Sequence, residues 1–296
     1  MKILITILSI LITYIVLDII IHYKNIKYFD SIFPPNIIAE INEDIELPKI
    51  QESDIIPKVI HRTYKDKEQA KKFDEAKRVT LKNNPNLVEK FYSNQDVENY
   101  IRDNFSERIL KAYLSINPKY GPARADFFRY LVIYLEGGLY FDIKSYATKN
   151  LDKYLEIKNK LIISKGRTYS LSPTTFGLLP SFKNSYNWSE YSQTKYGEYN
   201  NWHFFAPPGN IILKRTIQQI VSNIEYGLKN KEYYKGGEYS VLVLTGPIMF
   251  SRIIKKYNRD NCYITEPNLN KHVSYHIIDH KGKDHYSKEK NKNILI

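Results

Sequence analysis

Residues 121–146, GPARADFFRYLVIYLEGGLYFDIKSY, constrain the fold more tightly than any other part of the chain. On a 3.6-residue wheel Phe127, Phe128, Leu131, Val132 and Leu135 form one wide apolar arc. Asp126 and Arg129 fall on the other side, spaced i,i+3, where helical side chains meet. Their neighbours there, Tyr130 and Ile133, are not solvent-face residues. The helix is apolar nearly all round, so both charges are expected to be at least half buried. A buried charge is costly without a partner. Two readings stay open: an ion pair that staples the helix, or a pair that faces a cleft. In a cleft, a carboxylate accepts from ligand hydroxyls and a guanidinium donates to ligand oxygens.

Gly137-Gly138 ends the helix, because glycine accepts the left-handed conformation found just past a helix. Leu139-Tyr140-Phe141 reads as a buried strand that closes on Asp142. Residues i and i+2 of a strand share a face, so Asp142 and Lys144 are expected to point the same way. Upstream, Pro57 leads into a strand at 58–61 and a polar helix is expected over 68–82. A second strand is expected over 87–92, and Ser93 can cap a helix at 96–105. Downstream, Pro207-Pro208-Gly209 signals a turn before a helix at 211–226, and Thr245-Gly246-Pro247 a loop before another helix. Alternating strands and helices predict an α/β fold, with a mostly parallel sheet covered on both faces.

These motifs carry a resemblance. Ala125-Asp126-Phe127-Phe128-Arg129-Tyr130, Gly137-Gly138 and Tyr140-Phe141-Asp142-Ile143-Lys144 resemble the DXD-containing sugar-transferase family of the Och1-like α-mannosyltransferases (glycosyltransferase family 32). They are also similar to the catalytic domains of the clostridial glucosylating toxins. The stretch from Ile56 to Tyr64 (IPKVIHRTY) looks like the family's opening strand. Asn201-Trp202-His203-Phe204-Phe205-Ala206 and Thr245-Gly246-Pro247 look like later landmarks, in order over roughly residues 55–286. The resemblance implies a GT-A-type single domain and transfer of a sugar, with retention of configuration, from a UDP- or GDP-sugar to a glycan or glycoconjugate. It implies Asp126, Arg129 and Asp142 at the reacting centre, and Tyr64, His61, Lys144 and Asn201 around the donor, with Tyr64 stacking on the base. It implies a divalent metal, usually Mn²⁺, for which Asp142 and His285 are the candidate ligands. Core readings compete at Tyr64, in a chain with 26 tyrosines, and at His61. For His285 the competing reading is a solvated tail.

One position departs from the pattern. The second acid of Asp-x-Asp, a direct metal ligand in the family, is Lys144 here, and a protonated lysine cannot ligate. Either Asp142 still holds the metal with other groups, or the Lys144 ammonium neutralises the diphosphate instead. The third reading is a degenerate site in a membrane-anchored glycan-binding or scaffold protein. The aromatic stretch 186–205, with Trp188 and Trp202, reads equally as an acceptor surface or as core.

The rest of the chain bounds these readings. Residues 3–21 are long and apolar enough for a bilayer-spanning helix, and no small-residue cleavage site follows. Residues 1–22 are therefore expected to be an uncleaved signal anchor, 23–55 a stem and 56–296 the catalytic domain. Asp18 argues against a central membrane position, where a carboxylate costs roughly 2.5–3.5 kcal/mol. The flanking lysines do not set the orientation. The resemblance implies a single-pass, type II protein with its domain in the lumen. Lys+Arg exceed Asp+Glu by 44 to 32. The lysines are scattered except around 281–292, and no nucleic-acid-binding motif is present. A single cysteine, Cys262, excludes an intrachain disulfide.

Overall fold

The computed structural model describes residues 39–51, 53–165, 199–230, 234, 236–257, 263–266, 269–275 and 293–296, with Thr6, Ser9 and residues 12–14 near the amino terminus. Most of the expected anchor, Trp188, Cys262, His285 and the basic tail at 281–292 lie outside the described residues. Among the described residues no helix is long and apolar enough to cross a membrane. Thr6, Ser9 and residues 12–14 are helical, with the Thr13 hydroxyl donating to the Ser9 carbonyl at 2.8 Å. Residues 38–169 and 196–296 form a separate compact unit.

That unit begins with β1 (Val59–Thr63). One polar helix was expected next. Instead α1 (Lys67–Ala70) passes through a 3₁₀ turn, Lys71–Phe73, into α2 (Asp74–Asn83). β2 (Val88–Tyr92) leads to Ser93, whose side chain and backbone form a reciprocal capping box with Asp96 at the start of α3 (Asn94–Asn104). α4 (Glu107–Ser115) precedes the 16-residue α5 (Gly121–Glu136), whose Pro122 takes the tolerated first-turn position. Then follow β3 (Gly138–Phe141), β4 (Tyr146–Ala147), α6 (Asp152–Leu155), β5 (Leu161–Ile163) and β6 (His203–Ala206). The chain continues through α7 (Ile211–Lys229), α8 (Gly237–Leu244), α9 (Pro247–Lys256), β7 (Tyr263–Thr265), α10 (Leu269–His272) and β8 (Val273–Ser274).

Six strands form one sheet in the order β2-β1-β3-β6-β5-β7. β1 runs parallel to β2 and β3, and β5 parallel to β7, whereas β6 is antiparallel to both its neighbours. Five strands therefore share one direction and β6 alone is reversed, which makes the sheet mostly parallel, as expected. β4 and β8 form a second, two-stranded antiparallel sheet, with Ala147 opposite Val273.

Both faces of the main sheet are covered. On one, Ile60, Leu139, Phe141, Ile162 and Phe205 join a core with Leu151 and Tyr154. On the other, Tyr130 of α5 stacks on Phe204 at 5.8 Å, and Phe204 on Tyr140 at 6.0 Å. Fully buried rings such as Phe127, Phe141, Phe204 and Phe205 each stabilise the fold by on the order of 1.5–3 kcal/mol.

The break between α5 and β3 requires its glycines. Gly137 and Gly138 have φ of 69° and 100°, in the region that side chains avoid. A Cβ on Gly138 would also lie 2.6 Å from the Val59 carbonyl oxygen.

The expected stem is different in its second half. From Ala39 onward the backbone docks on α7. The Ala39 and Asn42 amides donate to Asn223 and Ser222, while Gln218 donates to the carbonyls of Glu43 and Ile45. Ile45 is buried. Polar side chains on a buried helix face satisfy the backbone of an irregular segment, which makes residues 39–51 part of the domain.

Candidate functional site

The parallel register of β1 and β3 brings their carboxyl ends to one edge of the sheet, the place where open α/β sheets hold ligands. Asp142 stands at that edge. Reversal of β6 brings residues 201–202 beside it, and the Asp142 amide donates to the Trp202 carbonyl at 2.9 Å.

Arg129 reaches this edge from α5 and joins two carboxylates. Its Nη2 lies 2.8 Å from Asp126 Oδ1 and 2.9 Å from Asp142 Oδ1. Its guanidinium sits 4.7 Å from the Tyr140 ring centre and also donates to the Asn201 carbonyl. The Asn201 side-chain amide donates to Asp126 Oδ1 at 3.0 Å, and the Thr245 hydroxyl to Asp126 Oδ2 at 3.3 Å. Asp126 and Arg129 are sealed, with side chains 8% and 4% exposed, whereas Asp142 at 22% faces outward. Asp126, Arg129, Asp142 and Asn201 thus converge. Of the two readings of the Asp126–Arg129 pair, the structure shows the ion-pair staple, with Asp142 as its more exposed end.

Two acids share one guanidinium. Burial pushes the Asp126 carboxyl up to about 7, with Arg129 opposing and Asp142 adding to the rise. Burial also raises Asp142, against Arg129, Tyr140, Lys144 and Arg62. The folded pKa of Asp126 lies above its ordinary 3.8, so its contribution to stability is complete below about pH 4 and is lost as pH rises through about 7. In urea unfolding across that range, the wild type is expected to lose stability relative to Asp126→Asn as pH rises. A pH-independent difference would contradict the assignment.

Lys144 does not share a strand face with Asp142. β3 ends at Phe141, and the Ser145 amide donates to the Asp142 carbonyl at 2.8 Å, so residues 142–145 form a turn. Lys144 is half-buried in that turn, and its charge acts on the Asp142 carboxylate.

His61 is corrected from the donor-binding set. It is fully buried, with Nδ1 3.1 Å from the Tyr92 hydroxyl and Nε2 3.2 Å from the Gly137 carbonyl oxygen. Burial first, and Lys90 too, hold its pKa down at about 4 against the pull of Glu136, so the ring is neutral. Nε2 must then donate to the carbonyl, and Nδ1 accepts from Tyr92. Both nitrogens are engaged, and His61 ties β1 to the end of α5. Tyr64 stands past the end of β1, half-buried, edge-on to Phe73 at 5.3 Å.

Sequence reasoning missed three residues. Arg62 is buried and its Nη1 donates to the carbonyls of Asp142, Ile143 and Ser145 at 3.2, 3.2 and 2.7 Å. An arginine inside a predicted buried strand, between His61 and Thr63, was the available signal. Tyr130 contributes a hydroxyl 3.2 Å from the Asn201 amide. Tyr275, just after β8, packs 5.1 Å from Trp202, and its hydroxyl is raised by burial and by Asp142. A cavity of about 260 Å³ lined by Arg62, Phe73, Lys77, Glu89 and Ile143 lies on the Arg62 side of this turn and includes none of Asp126, Arg129 and Asp142.

A resident divalent cation does not fit the described residues. Oxygen-loving cations take several oxygen ligands. Here Asp126 is taken by Arg129, Asn201 and Thr245, one Asp142 oxygen by Arg129, and the turn carbonyls by Arg62. Among the described residues no three metal-ligating side chains converge.

The α/β layering, with a carboxylate-guanidinium cluster at the carboxyl edge, fits a sugar-transferase domain. Residues 34–164 match the family described as the glycosyltransferase sugar-binding region containing DXD motif. Homologues of the chain include the initiation-specific alpha-1,6-mannosyltransferase of Candida albicans, 25% identical over 180 residues, covering 58% of this chain and 44% of that one. The enzyme of the same name from Schizosaccharomyces pombe is 27% identical over 139 residues, covering 45% and 31%. The chain therefore spans less than half the length of these curated relatives. A solved structure, the PaToxG glycosyltransferase, aligns over 80% of this chain and 75% of its own at 18% identity, with a TM-score of 0.44.

Proposed function

We propose that this protein transfers a hexose from a UDP- or GDP-sugar to a glycan or glycoconjugate acceptor, with retention of configuration, on a GT-A-type domain. The names of its relatives favour mannose. The observation that carries this reading is the meeting of Asp126, Arg129 and Asp142 at the carboxyl edge of the sheet, with only Asp142 open.

The chemistry assigns roles. Departure of the nucleoside diphosphate leaves positive charge on the sugar, and the acceptor attacks from the same face. The outward carboxylate of Asp142 accepts from sugar or ribose hydroxyls and faces the developing charge. Arg129 fixes that carboxylate and Asp126 fixes Arg129, so the constellation is preorganised before the donor arrives. Tyr64 offers an aromatic face at the same edge for the base, and Trp202 and Tyr275 offer aromatic surface for a sugar ring. The apolar stretch 3–21 supports a single-pass anchor, and the family resemblance favours a type II arrangement with the domain in the lumen.

A screen of the purified full chain against UDP- and GDP-linked hexoses tests the proposal. Release of the nucleoside diphosphate with one donor, dependent on an added glycan acceptor, is expected. Glycan binding with no nucleotide binding at all would instead establish the scaffold reading that Lys144 leaves open.

A further inference from the structure

The turn at residues 142–145 is gripped by guanidinium groups from both faces of the sheet. Successive residues of β1 point to opposite faces. His61 therefore faces α5, while Arg62 lies on the Phe141 side, 5.5 Å from that ring. Arg62 is itself fixed. Its Nε lies 2.8 Å from Glu89 Oε2, and its Nη2 3.4 Å from the Thr80 hydroxyl. From there its Nη1 draws in the carbonyls of Asp142, Ile143 and Ser145. From the other face Arg129 holds the Asp142 carboxylate.

Peptide units are planar and trans. Where the carbonyls of Asp142 and Ile143 point inward at Arg62, the amides of Ile143 and Lys144 point the opposite way. Among the described residues neither amide has a hydrogen-bond partner. The Lys144 ammonium makes no close ion pair among the described residues, and it acts on the Asp142 carboxylate only at longer range. Outward amides beside an ammonium with no close ion pair form a receptor for an anion. The same geometry occupies the Asp126 oxygens, one Asp142 oxygen and the carbonyls of Asp142, Ile143 and Ser145, which leaves a cation few ligands among these groups.

We infer that this chain holds the diphosphate of its donor directly, on the Lys144 ammonium and the outward amides of the Arg62-gripped turn, with no bridging divalent cation. The inference rests on the transferase reading and names the recognition chemistry of that same site. Lys144 supplies the charge at the position where the family pattern places a metal-ligating acid, so it draws the donor in and stabilises the diphosphate as it leaves.

Calorimetric titration of the full chain with UDP and with GDP, in chelator and again with added Mn²⁺, tests this. At least one of the two is expected to bind in chelator, with affinity changed less than about threefold by Mn²⁺. Lys144→Ala is expected to weaken that binding by about tenfold or more, the scale of one charge-assisted contact, without rescue by the metal. Lys144 is half-buried in a turn, so the variant is expected to melt like the wild type. Binding lost in chelator and restored by Mn²⁺ overturns the inference and leaves the transferase reading standing. Unchanged affinity in Lys144→Ala overturns it too. Binding of neither diphosphate under any condition overturns both.

Discussion

Replacing Arg129 by methionine is expected to destabilise the domain by about 3–5 kcal/mol at slightly alkaline pH, the range seen when one partner of a buried ion pair is removed. Methionine fills most of the volume, so the loss is electrostatic. Asp126 and Asp142 would face each other without the guanidinium that now lies 2.8 and 2.9 Å from them. Arg129 and Asp126 are nearly sealed, so solvent screens little of this. The loss has a pH signature. Asp126 already titrates at about 7 with Arg129 in place. Without Arg129 its carboxyl rises further, and a carboxyl raised in the folded state lends stability at low pH that disappears as pH rises. The variant is therefore closest to wild type near pH 5 and furthest from it above about 8. Adding Asp126→Asn should recover much of the loss, because the amide removes the stranded charge and can still meet Asn201 and Thr245. Urea unfolding of the three proteins at two pH values gives the answer. A single-variant loss below about 1 kcal/mol would show that the pair is not the staple of α5.

The segment that positions this triad was legible in the sequence because its constraints are local. Apolar saturation of residues 127–135 left Asp126 and Arg129 no solvent to face, and two adjacent glycines with positive φ could only mark a break. Ser93 was readable for the same reason, since a cap needs only its own next three residues. What was not legible depended on distant partners. Nothing in HFFA gives its strand direction, yet the reversal of β6 brings Asn201 to Asp126 and the Trp202 carbonyl to the Asp142 amide. Strand periodicity placed Lys144 beside Asp142, but a turn bond from Ser145 ends the strand one residue earlier and cancels that parity. His61 was drawn towards the donor by its place in the family pattern. The path of α5 closes over it, and no property of IPKVIHRTY foretells a partner 76 residues away. Residues 39–51 read as stem because the groups that dock them, Gln218, Ser222 and Asn223, lie on a helix whose polar residues resemble a solvent face.

Asp142→Asn is expected to lower transfer by roughly two to three orders of magnitude, the scale of removing one preorganised electrostatic partner from a reacting centre, while leaving the fold as it is. The two effects separate because the contacts that hold the backbone here do not use the carboxylate. The Asp142 amide donates to Trp202, and its carbonyl accepts from Arg62 and Ser145, all of which an asparagine keeps. Arg129 retains Asp126 at 2.8 Å, so no buried cation is stranded. Burial is the largest influence on the Asp142 carboxyl and raises it, which means that the charge sits there at a cost in stability. A neutral amide removes that cost, so the melting temperature should hold or rise slightly. Proteins keep a destabilising charge where function uses it. A loss of rate with no loss of melting temperature is thus the signature of a charge kept for chemistry, and full activity in the variant would remove Asp142 from the reacting centre.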